Sequence, residues 1–142
     1  MQDRPIAHLV AVFVGGVLGS ATRLGLDTLM PHANDQIAVS TLLINIVGSF
    51  VLGVLTTGIW TRDVPSVVKA AIGPGFLGSF TTFSAMILSV VLLSASGPDH
   101  LLLGVAYLVV TLALGFAAAL LGLRLGPRST RGRARLDPET GE

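Results

Sequence analysis

Apolar positions in this chain come in long uninterrupted runs rather than in alternation or as one-sided stripes. Val39 to Trp60 is 22 residues without a charge, Ile72 to Leu93 is another 22, and Leu101 to Leu123 is 23. Leu9 to Leu26 adds 18, with Arg23 near its end. About 20 mostly apolar residues let a helix cross the hydrocarbon of a bilayer, so the pattern predicts four membrane-spanning helices. The connections (27–38, 61–71 and 94–100) are short and carry turn residues such as Pro31, Asn34, Pro65, Gly97 and Pro98. Short connections force neighbouring helices antiparallel, so the predicted fold is an all-α four-helix membrane bundle over residues 1–125. From Gly126 to Glu142 the chain is polar and rich in Arg, and reads as a disordered tail. A cleavable secretory signal is the rival reading of the first run, because Gly19-Ser20-Ala21 resembles a cleavage site. The only charges before that run are Asp3 and Arg4, and a signal needs net positive charge there.

Charge sharpens this picture. Only 12% of the 142 residues are charged, against about 25% in soluble domains. The net charge of +1 gives no basic field and no case for a nucleic-acid partner. With no Cys there is neither a disulfide nor a thiolate metal site. His8, His32 and His100 fall outside the runs or at their edges and read as loop residues. Four crossings place both termini on one side, and that side collects eight Lys and Arg: Arg4, Arg62, Lys69, Arg124, Arg128, Arg131, Arg133 and Arg135. The other side has at most Arg23. The positive-inside rule then predicts a multi-pass plasma-membrane protein with both termini in the cytoplasm.

No Asp or Glu lies within an apolar run, Asp27 falling past the end of the first. Proton-driven pumps usually carry an intramembrane carboxylate, so a passive path or a structural role is expected. The polar residues that the runs do contain are ordered. Asn45, Ser49 and Gly53 recur every four residues and share a helix face, as do Tyr107, Thr111, Gly115 and Ala119. Gly15 and Gly19 form a GxxxG that Arg23 continues. Taken singly, each stripe is explained by interhelical packing or hydrogen bonding, and Arg23 by snorkelling. The third run adds Gly73, Pro74, Gly75 and Gly78, followed by Thr81, Thr82, Phe83 and Ser84. Pro74 lacks a donor and clashes with the preceding turn, so a helix break is expected over Gly73 to Gly78. Broken backbone inside a membrane must be buried in protein or line a polar cavity, and such breaks hold cations with carbonyls or anions with helix N-termini. A proline kink satisfied by the Thr and Ser hydroxyls is the structural alternative.

These residues resemble the fluoride channel family, Fluc, also called CrcB. The Thr81-Thr82-Phe83-Ser84 run after a glycine-rich break is the most specific motif, joined by Gly15-Gly16 with Gly19 and Arg23, Asn45 with Gly48 and Gly53, and Tyr107 with Thr111. The resemblance spans roughly residues 9 to 123. It implies an antiparallel dimer with two fluoride pores at the interface. It also implies a structural sodium ion at the dimer centre, held by backbone carbonyls of Gly78 and Thr81 from both subunits. The implied pore residues are Asn45, Phe83, Ser84, Met86, Tyr107 and Thr111, with Arg23 at a vestibule. Hydroxyls and the Asn amide can donate to fluoride, and the positive edge of a phenyl ring can face it.

The chain also departs from that family. Met86 stands where a second Phe is usual, Ser79 and Phe80 replace a usual Gly and Leu, and Gly115 falls where some members carry a hydroxyl. A homodimer of antiparallel subunits needs balanced Lys and Arg, and this chain has eight against one. One-way insertion is therefore expected, with pairing to a related chain of opposite bias. A non-conducting or half-pore partner subunit is the alternative function. A four-span small-molecule transporter needs an embedded Glu in the first run, which is missing.

Overall fold

The computed structural model describes residues 5–58, 60 and 63–126. The tail expected to be disordered falls, beyond Gly126, outside the described residues. Helix α1 (Pro5–Leu29) is followed by α2 (Val39–Thr57). The third span begins with α3 (Ser66–Ala70), passes into a π-helical stretch at Ala71–Leu77, and ends its first half in one turn, α4 (Gly78–Phe80). After Thr81 and Thr82 it resumes as α5 (Phe83–Ala95), and α6 (Pro98–Leu125) completes the chain. All four spans are long and apolar enough to cross a membrane, and the protein is a multi-pass membrane protein.

The ends differ from the sequence expectation. Helix α1 runs past Leu26, so Asp27 lies inside its last turn and not beyond it. His8 lies in α1 and His100 in α6, so neither is a loop residue; His8 Nε2 sits 3.0 Å from Ser66 Oγ and ties α1 to the start of α3. The second span stops at Thr57, leaving Trp60 outside it. The α5–α6 connection is only Ser96 and Gly97. Gly97 has φ of 142°, which side chains with a Cβ rarely adopt, and Pro98 then opens α6 where no N–H is needed.

Two close helix seats hold the bundle. On one side α1 meets the π stretch backbone to backbone. A Cβ at Gly15 would run into the Ala71 carbonyl, and one at Gly19 into the Phe76 carbonyl. On the other side α2 and α6 lock reciprocally: a Cβ at Gly53 would strike the Ala119 carbonyl, and one at Gly122 the Phe50 carbonyl. Small residues at such crossings let helices approach where the hydrophobic effect gives no drive between them. Helix α5 packs on α6 mainly through side chains, with Met86 and Tyr107 buried around Ala38. Only Gly104 among the α6 glycines comes near its backbone, a Cβ there lying 3.2 Å from the Val90 carbonyl. The bundle therefore has an α1 side and an α2–α6 side, and the third span changes sides at Thr81–Thr82.

Candidate functional site

The expected break over Gly73 to Gly78 is not where the helix opens. The π stretch carries Gly73, Pro74 and Gly75 without leaving helical backbone. A π turn bonds five residues back rather than four. The backbone becomes extended at Thr81 (ψ 150°) and Thr82 (φ −147°, ψ 123°). The cause is a change of hydrogen-bond partners. Thr81 N–H still donates to the Leu77 carbonyl at 3.0 Å. Thr82 N–H, which a continuing helix would give to Gly78, donates instead to Asn45 Oδ1 at 2.9 Å. Asn45 Nδ2 donates to the Thr82 carbonyl, also at 2.9 Å. Ala85 N–H, which would serve Thr81, goes to Thr82 Oγ1 at 3.2 Å, making Thr82 the N-cap of α5. One Asn side chain thus replaces a missing helical turn, and the Gly78 and Thr81 carbonyls have no helical N–H partner.

This break faces an open groove of about 630 Å³ between α2, the third span and α6. Of the nine residues expected at a site, six line it: Asn45, Gly78, Thr81, Phe83, Met86 and Thr111. Phe83 is 65% exposed and presents its ring to this space. Met86 is 2% exposed, so only an edge reaches the groove while the rest packs with Ala38 and Tyr107. Ser84, Tyr107 and Arg23 do not line the groove. Ser84 Oγ lies 3.2 Å from Thr82 Oγ1 behind the break. Tyr107 is buried, its hydroxyl donating to the Ala38 carbonyl at 3.3 Å. Arg23 is half-buried on α1, with its Nε shielded and unpartnered among the described residues.

Two hydroxyls at the groove, one of them that of the expected pore residue Thr111, are already committed. Thr111 Oγ1 donates to the Tyr107 carbonyl at 2.7 Å, and Thr81 Oγ1 to the Leu77 carbonyl at 2.9 Å. A hydroxyl has one proton to give, so these two oxygens turn acceptor lone pairs outward. The groups left to donate near the break are the second N–H of the Asn45 amide, the Ser49 hydroxyl, one proton of the Thr82–Ser84 hydroxyl pair, and the opening N–H groups of α5. Ser49 lines the groove one turn after Asn45 and was not expected as a site residue. Its signal was the four-residue spacing from Asn45. Gly48 is also essential to the geometry, because a Cβ there would collide with the Thr81 methyl group. Phe80, one of the departures, is absorbed by stacking on Phe76, with centroids 5.7 Å apart and planes at 14°.

Four spans, a third one interrupted inside the bundle, and freed polar groups turned toward a groove define a small membrane protein built to handle an ion. The sequence pattern described as "CrcB-like protein, Camphor Resistance (CrcB)" matches residues 10–123, and the chain belongs to that family. It is 39% identical over 136 residues to "Fluoride-specific ion channel FluC 2" of Rubrobacter xylanophilus, covering 90% of each chain. It is 38% identical over 129 residues to "Fluoride-specific ion channel FluC" of Methanopyrus kandleri (89% of this chain, 95% of the relative). "Fluoride-specific ion channel FluC 3" of Yersinia pseudotuberculosis is 33% identical over 121 residues (84% and 89%).

Proposed function

We propose that this chain is a subunit of a fluoride-specific channel that lets fluoride leave the cytoplasm passively and so protects against its toxicity. The observation that carries this reading is the Thr81–Thr82 break, where the Asn45 clamp turns donors and freed carbonyls into one groove. Fluoride is small and strongly hydrated, so a path must replace its water with hydrogen-bond donors. Asn45, Ser49 and the α5 N-terminus are such donors, and the Phe83 ring edge adds a weakly positive surface. The relatives' names point the same way.

In this reading two antiparallel subunits close the groove over Phe83, and the Gly78 and Thr81 carbonyls of both hold a structural sodium ion. Carbonyl oxygens suit a hard cation because they supply lone pairs without net charge. Arg23 serves a vestibule by raising the local anion concentration, while Ser84 and Tyr107 brace the pore wall. The fit of Gly78 and Thr81 rests on their lost helical partners.

Eight of the nine Lys and Arg belong to one side, which favours a single orientation with both termini cytoplasmic. The partner is then a related chain of opposite bias. Purified chain in liposomes, alone and with such a partner, tests both levels with a fluoride electrode. Efflux from the chain alone supports a homodimer, and efflux only with the partner supports the heterodimer. No efflux in either case defeats the channel reading. A reporter fused to the C-terminus tests insertion, and substantial signal from both membrane faces would exclude a single orientation.

A further inference from the structure

We infer that the Trp60 indole is a further anion-donating station, set at the mouth of the groove beside the α2 C-terminus, with Lys69 as the charge that draws anions to it. This rests on fluoride being the conducted ion and names a group serving its path.

The groove runs from the Thr81–Thr82 break toward the end of the bundle where α2 finishes and α3 begins. Donors cluster at the break. Toward the mouth the walls are Leu52, Leu77, Phe116 and Ala119, none of which has a side-chain donor. From Asn45 to Leu52 is about 10 Å along α2, at 1.5 Å per residue. Ser49 is the last side-chain donor along that distance, and beyond it a small anion meets apolar wall with no side chain to replace its water. Trp60 also lines the groove at this end, and its indole N–H donates to no group among the described residues.

The ring is held rather than loose. Its six-membered edge lies on Gly73, where a Cβ would be 2.7 Å from Cζ2 and 3.0 Å from Cη2. Lys69 Nζ donates to the Trp60 carbonyl at 2.9 Å, fixing the backbone and placing an ammonium at the same mouth. An indole N–H is a neutral donor, so it can hand an anion on without trapping it as a bare cation would. The nearby ammonium raises the local anion concentration instead. The glycine at 73, read from sequence as a helix breaker, thereby gains a second role as the floor under an aromatic ring.

Trp60 is the single tryptophan of the chain, so intrinsic emission of the purified full-length protein reads this position alone. Fluoride added in place of chloride at constant ionic strength should change that emission saturably. Trp60→Phe keeps an aromatic ring at the position and removes the donor together with the outer edge that lies on Gly73. In liposomes it should slow fluoride efflux about fivefold, the factor given by one lost hydrogen bond of about 1 kcal/mol. Lys69→Gln should slow efflux at low salt, with the deficit shrinking as salt screens the charge. Wild-type efflux with an unchanged Trp60→Phe rate overturns the inference and leaves the channel reading intact. Slowed efflux without any fluoride-specific emission change also overturns it, assigning Trp60 a packing role. Absence of wild-type efflux both alone and with the partner chain removes the channel reading and this inference together.

Discussion

The two halves of the third span are made of different materials. Its first half, Ser66–Phe80, has Gly73, Pro74, Gly75 and Gly78, yet it stays helical through a π stretch. What holds it is the glycine face of α1, where backbone meets backbone at Gly15 and Gly19. The second half, Phe83–Ala95, has no glycine or proline, yet the helix has just been interrupted before it. What holds it is side-chain packing on α6 and a Thr82 cap. Poor helix formers thus did not break this helix, whereas an Asn on another helix did. Intrinsic propensity costs about 1 kcal/mol for Gly and about 3 for Pro, which tertiary packing can offset. A helix ends where a better hydrogen-bond partner is offered, and Asn45 offers two bonds at once.

Four changes break or sharpen this contrast. The largest effect is expected for Gly19→Val, which drives a side chain into the Phe76 carbonyl. Overpacking against side chains costs about 1–3 kcal/mol, and backbone cannot move aside as a side chain does. Loss of a monodisperse peak on size exclusion is the expected result, and a normal peak would mean the π stretch does not depend on α1. Next is Asn45→Asp. It keeps the acceptor for Thr82 N–H but sets a carboxylate oxygen against the Thr82 carbonyl. Fluoride efflux should be abolished and thermal stability lowered by about 2 kcal/mol, the scale of an exposed or mispaired buried polar group. Retained efflux would remove Asn45 from both the break and the path.

Gly78→Val separates folding from assembly. Within one chain a Cβ at Gly78 meets only the Gly73 carbonyl at 3.8 Å, and the residue is exposed. The single chain should therefore fold normally while dimer formation is impaired on size exclusion. A normal dimer would count against a sodium site at these carbonyls. Met86→Phe should have the smallest effect. Met86 is almost wholly packed beside Ala38 and Tyr107, so a ring there should cost about 1–3 kcal/mol of stability while efflux is kept or raised. A complete block of efflux would make the groove edge of Met86 a specific part of the path.

The four spans and their order were legible because apolar runs of bilayer length have few other uses. The groove residues Asn45, Gly78, Thr81, Phe83 and Thr111 were legible from spacing and from the family resemblance. The position of the break was not, because it depends on a bond between residues 37 apart, which local propensity cannot register. The burial of Tyr107 and Met86 was missed for a related reason. Both belong to a cluster completed by Ala38 from the α1–α2 connection, which no run of spacing links to them. Asp27 was placed outside the first helix because a charge was taken to end it. The helix extends about one turn beyond the apolar run, with one Asp27 oxygen shielded and unpartnered among the described residues.

The π stretch has a consequence for how this chain can change over time. A helix advances about 100° of rotation per residue, and a π segment winds more slowly because its bonds reach one residue farther. Ala71–Leu77 therefore holds about one residue more than an α-helix of the same angular sweep, and it sets the phase of everything downstream. Deleting a single residue there would let the segment relax to ordinary α pitch while rotating the Thr81–Thr82 break off the Asn45 amide. Point substitutions on the exposed side of this stretch can be absorbed one at a time, but its length cannot drift, so it acts as the timing element of the third span.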